Sequence, residues 1–132
     1  MAGFAVYMML NTAKDTARAE ESEMRRFEIE NPDSIVEGEF RELRVGEGKT
    51  DNVLISRFGG KLYATGAYCT HLGAPFAPNG MLFDDKVLCP YHAASYSVVT
   101  GISENGPGLD GLPTYEVVCE KGKYYALVPE VL

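Results

Sequence analysis

Both histidines of this 132-residue chain stand just behind a cysteine. Cys69-Thr70-His71 comes first, and Cys89-Pro90-Tyr91-His92 follows after 17 intervening residues. The chain holds only 3 Cys and 2 His, and two histidines placed at random would seldom both fall two or three residues after a cysteine. The pattern asks for a shared cause, and a four-ligand metal site built from two loops supplies one, because thiolate and imidazole are the soft and borderline donors such sites use.

The rest of the chain reads as short strands. Glu39 to Val45 alternates, with Leu43 and Val45 on one face, and Asn52 to Arg57 places Val53 and Ile55 on one face. Gly59-Gly60 turns the chain into Leu62 to Thr65. Met81 to Phe83 and Lys86 to Leu88 flank Asp84-Asp85 as a hairpin, and Tyr96 to Val99 runs into Gly101. Tyr115 to Cys119 and Lys123 to Val128 flank Gly122 as a last hairpin. Strands recurring every ten or so residues without helices between them predict an all-β antiparallel sandwich or barrel. Residues 12 to 28 favour helix instead: Thr12 can cap it, Ala13, Ala17 and Ala19 are good helix formers, and Glu21 and Arg25 stand four apart in the favourable order. Asn31-Pro32-Asp33 then punctuates the chain. The expected division is an N-terminal extension over 1–33 and one β domain over 34–132.

Charge narrows the partners. Lys and Arg number 12 against 19 Asp and Glu, a net charge of -7, which argues against a sequence-independent grip on nucleic acid or an anionic membrane. An acidic carrier docking a basic partner has such a balance. The start, MAGFAVYMML, is apolar but lacks a basic n-region and is too short to span a bilayer, so it reads as a docking segment or a disordered end, with an anchor into a partner or a membrane interface as the alternative. Three cysteines do not make a secreted disulfide scaffold, and the expected compartment is intracellular, cytoplasm or mitochondrion.

Cys69-Thr70-His71-Leu72-Gly73-Ala74-Pro75 and Cys89-Pro90-Tyr91-His92-Ala93-Ala94 resemble the two cluster loops of Rieske-type [2Fe-2S] ferredoxins. Thr100-Gly101 and Gly106-Pro107-Gly108-Leu109-Asp110 also resemble family features, the second being its proline-bearing third loop. The resemblance covers about residues 36 to 129 and is strongest to the Rieske module of apoptosis-inducing-factor-like reductases. It implies a two-loop cluster-binding subdomain, with Cys69 and Cys89 on one iron and His71 and His92 on the other. It also implies that the histidines bind through Nδ1, leaving Nε2 toward solvent. Structural zinc is the alternative, although zinc sites usually pair Cys-x2-4-Cys with His-x3-5-His rather than mixing the two in each loop.

The resemblance also implies where the potential lies. With two neutral imidazoles the oxidised cluster sums to zero charge, and reduction takes it to -1; four thiolates would start it at -2, so histidine ligation raises the potential. The high-potential respiratory type carries a disulfide between its loops. Ala74 and Tyr91 occupy those cysteine positions, and Ala94 stands where that type has a serine bonded to cluster sulfur. Tyr96 keeps the tyrosine. From Leu62 to Tyr115 there are four acids, Asp84, Asp85, Glu104 and Asp110, and one cation, Lys86. A low-potential centre follows. Leu72, Gly73, Tyr91, Ala94, Tyr96 and Pro107 are the expected surrounding residues. Leu72, Ala74, Pro75, Pro90 and Tyr91 are expected to exclude water from the sulfurs, and Leu72 and Tyr91 to form the docking face.

The expected function is one-electron transfer between a flavoprotein reductase and an acceptor such as an oxygenase, without catalysis of its own. The alternative is an accessory subunit of a larger redox complex, with the cluster partly structural. The chain has no Gly-rich dinucleotide fingerprint, and no histidines remain for the mononuclear iron of an oxygenase. Cys119 shares a strand face with Tyr115 and Val117 and reads as a buried structural thiol.

Overall fold

The computed structural model describes residues 24–70, 73–91, 94–104 and 110–129. They form strands β1 (Met24–Glu28), β2 (Phe40–Arg44), β3 (Asn52–Phe58), β4 (Lys61–Gly66), β5 (Met81–Phe83), β6 (Lys86–Leu88), β7 (Ser95–Ser97), β8 (Thr114–Glu120) and β9 (Lys123–Pro129), with one 3-10 turn at Pro32–Ser34. Six strands make one antiparallel sheet in the order β1-β9-β8-β4-β3-β2, and β5-β6-β7 make a second. The hairpins expected at 84–85 and around Gly122 are present, as is the turn at Gly59-Gly60.

The large sheet curls on itself. Its outermost strands β1 and β2 place Phe27 and Leu43 against one shared core, together with Val53, Ile55, Leu62, Ala64, Ala126 and Val128. Arg25 closes the seam by donating from Nη2 to the Val45 carbonyl at 3.4 Å. The chain between β1 and β2 is tied down by polar contacts. Arg57 donates to the Pro32 carbonyl at 2.9 Å, Arg41 to Ser34 Oγ at 2.8 Å, and the Glu37 carboxylate accepts the Gly59 and Gly60 N–H groups at 2.7 and 2.9 Å.

β3 is buried on both faces, which is why Val53-Leu54-Ile55 is a continuous apolar run rather than an alternating one. Val53 and Ile55 face the barrel interior, while Leu54 faces the opposite way into a second core. That second core holds Ala67, Cys69, Phe76, Val87, Cys89, Ala94, Tyr96, Val98 and Leu112. It lies between the outer face of the large sheet and the inner face of the small one, where Leu82, Val87 and Tyr96 stand opposite one another across three strands. The two cysteine loops grow out of this second core.

Two sequence expectations are corrected. The helix expected over 12–28 does not extend through its last turn: 24–28 is strand, paired along its length with β9. Local propensity loses here to the six-stranded sheet, because β1 covers the edge of β9 and buries part of Phe27 in the barrel. Residues 12–23 of that expectation lie outside the described residues. The same sheet therefore includes a strand that precedes residue 34. Cys119 is exposed rather than buried. It does share a face with Tyr115 and Val117, which pack on the barrel core, but it sits at the hairpin end of β8 opposite Tyr124, past the reach of that core. No helix among the described residues is long and apolar enough to cross a membrane.

Candidate metal centre

The two cysteine loops are closed in the same way. Cys69 N–H donates to the Ala74 carbonyl at 2.8 Å, and Cys89 N–H donates to the Ala94 carbonyl at 2.8 Å. Each loop is thus a five-residue excursion that leaves from a cysteine and returns to an alanine. In the first, Gly73 N–H also bonds the Cys69 carbonyl at 2.7 Å, and Gly73 adopts φ 69°, a left-handed conformation costly for a side chain with a Cβ. Pairing of Tyr68 with Pro75 anchors the first loop's base. β6 and β7 carry the second loop between their ends.

Both thiols are buried, Cys69 at 1% and Cys89 at 2% exposure, and neither is in a disulfide. Two buried thiols among apolar side chains, beside the small residues Gly73, Ala74 and Ala94, fit the thiolate half of a cluster site. Ala94 is buried and offers only its backbone. Pro90 and Tyr91 are exposed, Tyr91 at 62%. His71, Leu72, His92 and Pro107 lie outside the described residues.

Tyr96 links the two sheets to the first loop. Its ring is fully buried and meets Phe76 edge to face, with ring centroids 5.8 Å apart. Its hydroxyl lies 3.3 Å from Cys69 Sγ and 3.1 Å from Thr70 Oγ1. Burial, and next the contact with Cys69, push its pKa above the ordinary tyrosine value, so it is a protonated donor at neutral pH. Thr70 was not singled out by sequence reasoning. Its hydroxyl also donates to the Asp110 carbonyl at 2.7 Å and so ties the first loop to the chain just after residues 105–109. The signal was its place between Cys69 and His71, but a hydroxyl there has no periodicity that reveals its partners.

Behind the site, Ser97 Oγ donates to Asp85 Oδ2 at 2.8 Å and accepts the Val99 and Thr100 N–H groups at 3.2 Å each. The resulting turn ends at Gly101, which adopts φ 80° and accepts the Leu112 N–H at 2.7 Å. A Cβ at Gly101 would lie 2.2 Å from the Leu112 carbonyl oxygen, so backbone packs directly on backbone here.

The fold defines the class: a small curled β-barrel bearing a loop subdomain of the kind that holds a redox metal centre. A family model for the Rieske [2Fe-2S] domain matches residues 25–116, more than half of the chain, and the chain belongs to that family. Its cofactor is accordingly a Rieske-type [2Fe-2S] cluster rather than zinc. Apoptosis-inducing factor 3 of Homo sapiens is 41% identical over 88 residues, which are 67% of this chain but 14% of that protein. The 3-phenylpropionate/cinnamic acid dioxygenase ferredoxin subunit of Escherichia coli K12 is 35% identical over 78 residues, 59% of this chain and 74% of that one. A solved complex of reduced oxygenase and oxidized ferredoxin in carbazole 1,9a-dioxygenase contains a chain that aligns with a TM-score of 0.66 and 27% identity, over 76% of this chain and 99% of that one. The chain thus shares its family and its fold with these ferredoxins.

Proposed function

We propose that Cys69 and Cys89 hold one iron of the cluster and His71 and His92 the other. The chain would then carry single electrons, at low potential, between a flavoprotein reductase and an acceptor such as an oxygenase. The observation that carries this reading is the matched pair of loops, each closed from a buried cysteine to an alanine five residues on, with the Tyr96 hydroxyl at Cys69 Sγ. The cluster, when bound, supplies a one-electron redox couple. The protein's own residues do the rest. The apolar second core keeps water from the thiolates, Tyr96 donates toward sulfur, and the exposed Tyr91 offers a partner an aromatic contact. Ala94 supplies no hydroxyl to sulfur, and Asp84, Asp85, Glu104 and Asp110 disfavour added negative charge; both hold the potential down.

Anaerobic mixing with NADH and the reductase of a ring-hydroxylating dioxygenase tests the role. Bleaching of the cluster's visible absorbance, followed by its return on addition of the oxygenase, is expected. A protein that dithionite bleaches but no reductase does would contradict it.

A second reading is favoured by the apoptosis-inducing factor 3 match, where the similar segment is a small part of a much longer protein. There the domain acts as a module or accessory subunit of a larger redox assembly, and co-purification of a stoichiometric flavoprotein would support it. We place the chain in a reducing compartment, cytoplasm or mitochondrion, consistent with three cysteines outside any disulfide.

A further inference from the structure

We infer that Thr70 sets the potential of the centre by competing with Cys69 for the single proton of the Tyr96 hydroxyl. The inference rests on Cys69 being a cluster ligand, as proposed above.

The argument is a count of donors and acceptors around one hydroxyl pair. A tyrosine hydroxyl has one proton to donate, and so has a threonine hydroxyl. The Asp110 carbonyl can only accept, and Thr70 Oγ1 lies 2.7 Å from it, so the Thr70 proton is committed there. Toward Tyr96, Thr70 therefore presents lone pairs. The Tyr96 proton then has two acceptors, Thr70 Oγ1 at 3.1 Å and Cys69 Sγ at 3.3 Å. Those three groups are fixed by their surroundings: Tyr96 by full burial and its edge-to-face contact with Phe76, Cys69 by burial and its loop closure, Thr70 by its bond to Asp110. No rotamer change is needed to pass the proton from one acceptor to the other, only rotation of the O–H bond.

A proton directed at the thiolate stabilises the more negative, reduced state; a proton directed at Thr70 does not. Thr70 thus withholds part of the donor that Tyr96 would otherwise give to sulfur. It joins the missing hydroxyl at Ala94 and the four acidic residues as a third device holding the potential down. Thr70 is a positioning residue, since it acts on the sulfur through Tyr96.

Dependence on Tyr96 distinguishes this role from a structural one. Loss of a merely structural hydrogen bond loosens the loop, and any rise it causes by admitting water to the thiolates does not depend on the Tyr96 hydroxyl. Removal of a competitor raises it, and does so only while Tyr96 carries its hydroxyl.

The test is a double-mutant cycle read by redox titration, on full-length protein shown by its visible spectrum to retain the cluster. Tyr96→Phe should lower the midpoint potential. Thr70→Val should raise it, with Thr70→Ala as the smaller variant should valine not be accommodated, and Thr70→Ser should stay near the wild type. In the Tyr96→Phe background, Thr70→Val or Thr70→Ala should move nothing. A drop in Tyr96→Phe with an unchanged or lowered potential in Thr70→Val and Thr70→Ala overturns the competition while leaving the ligand assignment standing. An unmoved potential in Tyr96→Phe means that its hydroxyl gives nothing to the Cys69 sulfur and overturns the inference, whereas a Cys69→Ala variant that keeps the cluster's visible spectrum overturns the ligand assignment on which it rests. A rise that persists in the Tyr96→Phe background overturns the competition as well.

Discussion

The second core is where single side chains matter most. Phe76 is fully buried between Ala67 and Tyr96 and holds the ring whose hydroxyl reaches Cys69. Phe76→Ala should cost roughly 3–5 kcal/mol in urea unfolding and loosen Tyr96, so the cluster should also be lost sooner on heating. Ser56 is the opposite case. Its hydroxyl is buried with no hydrogen-bond partner, on the β3 face that Leu54 shares. Ser56→Ala should therefore be neutral or stabilising by about 1 kcal/mol, and a loss of more than that would mean the hydroxyl has a partner in solution. At this scale the structure describes Cys69 and Cys89 as buried thiols on two matched loops, as their reading as ligands requires, while His71 and His92 lie outside the described residues. The sequence was least legible where a role depends on reach. Cys119 followed the alternation of β8 correctly yet lies past the end of the core, and Thr70 gave no sign that its hydroxyl meets both Tyr96 and Asp110.

Elements are fixed here by turns and crossovers more than by strand propensity. The turn 98–101 depends on Ser97, Asp85 and the bare backbone of Gly101. Gly101→Ala combines a positive φ with a Cβ pressed on the Leu112 carbonyl, and a loss of roughly 2–4 kcal/mol is expected by chemical denaturation. Acid should act on the same elements. Hydrogen bonds from the Gly60 and Gly59 N–H groups lower the Glu37 pKa, and the bond from Ser97 lowers that of Asp85. A folded-state pKa below the unfolded one contributes stability above the unfolded value, near 4 for carboxylates, and loses it as pH falls through the folded value. The urea midpoint should hold from neutrality down to about pH 5 and fall below pH 4, and Glu37→Gln with Asp85→Asn should flatten that fall. Short strands between turn residues were legible because their punctuation is local, as at 81–83 and 86–88. The strand at 24–28 was not, because its only reason to be extended is β9, one hundred residues away in sequence.

As a whole, the molecule divides its labour between two cores that share β3. The barrel core carries the fold, and the two cysteine loops grow out of the second core. A chain of net charge -7 should meet its redox partners through their basic surfaces, so the rate of reduction by a reductase should fall as ionic strength rises. A rate indifferent to salt would place the docking energy in apolar contacts such as Tyr91 instead. The architecture was legible from strand spacing and the two loops together. The division into two cores was not, because only the buried outer face of β3 reveals it. The central claim is that His71 and His92, with Cys69 and Cys89, hold a [2Fe-2S] cluster. Electron paramagnetic resonance of the dithionite-reduced protein tests it most directly, in the wild type and with each histidine changed to alanine. The account predicts a Rieske-type signal that either substitution abolishes. A silent protein with stoichiometric zinc, or a signal unchanged in either variant, would contradict it.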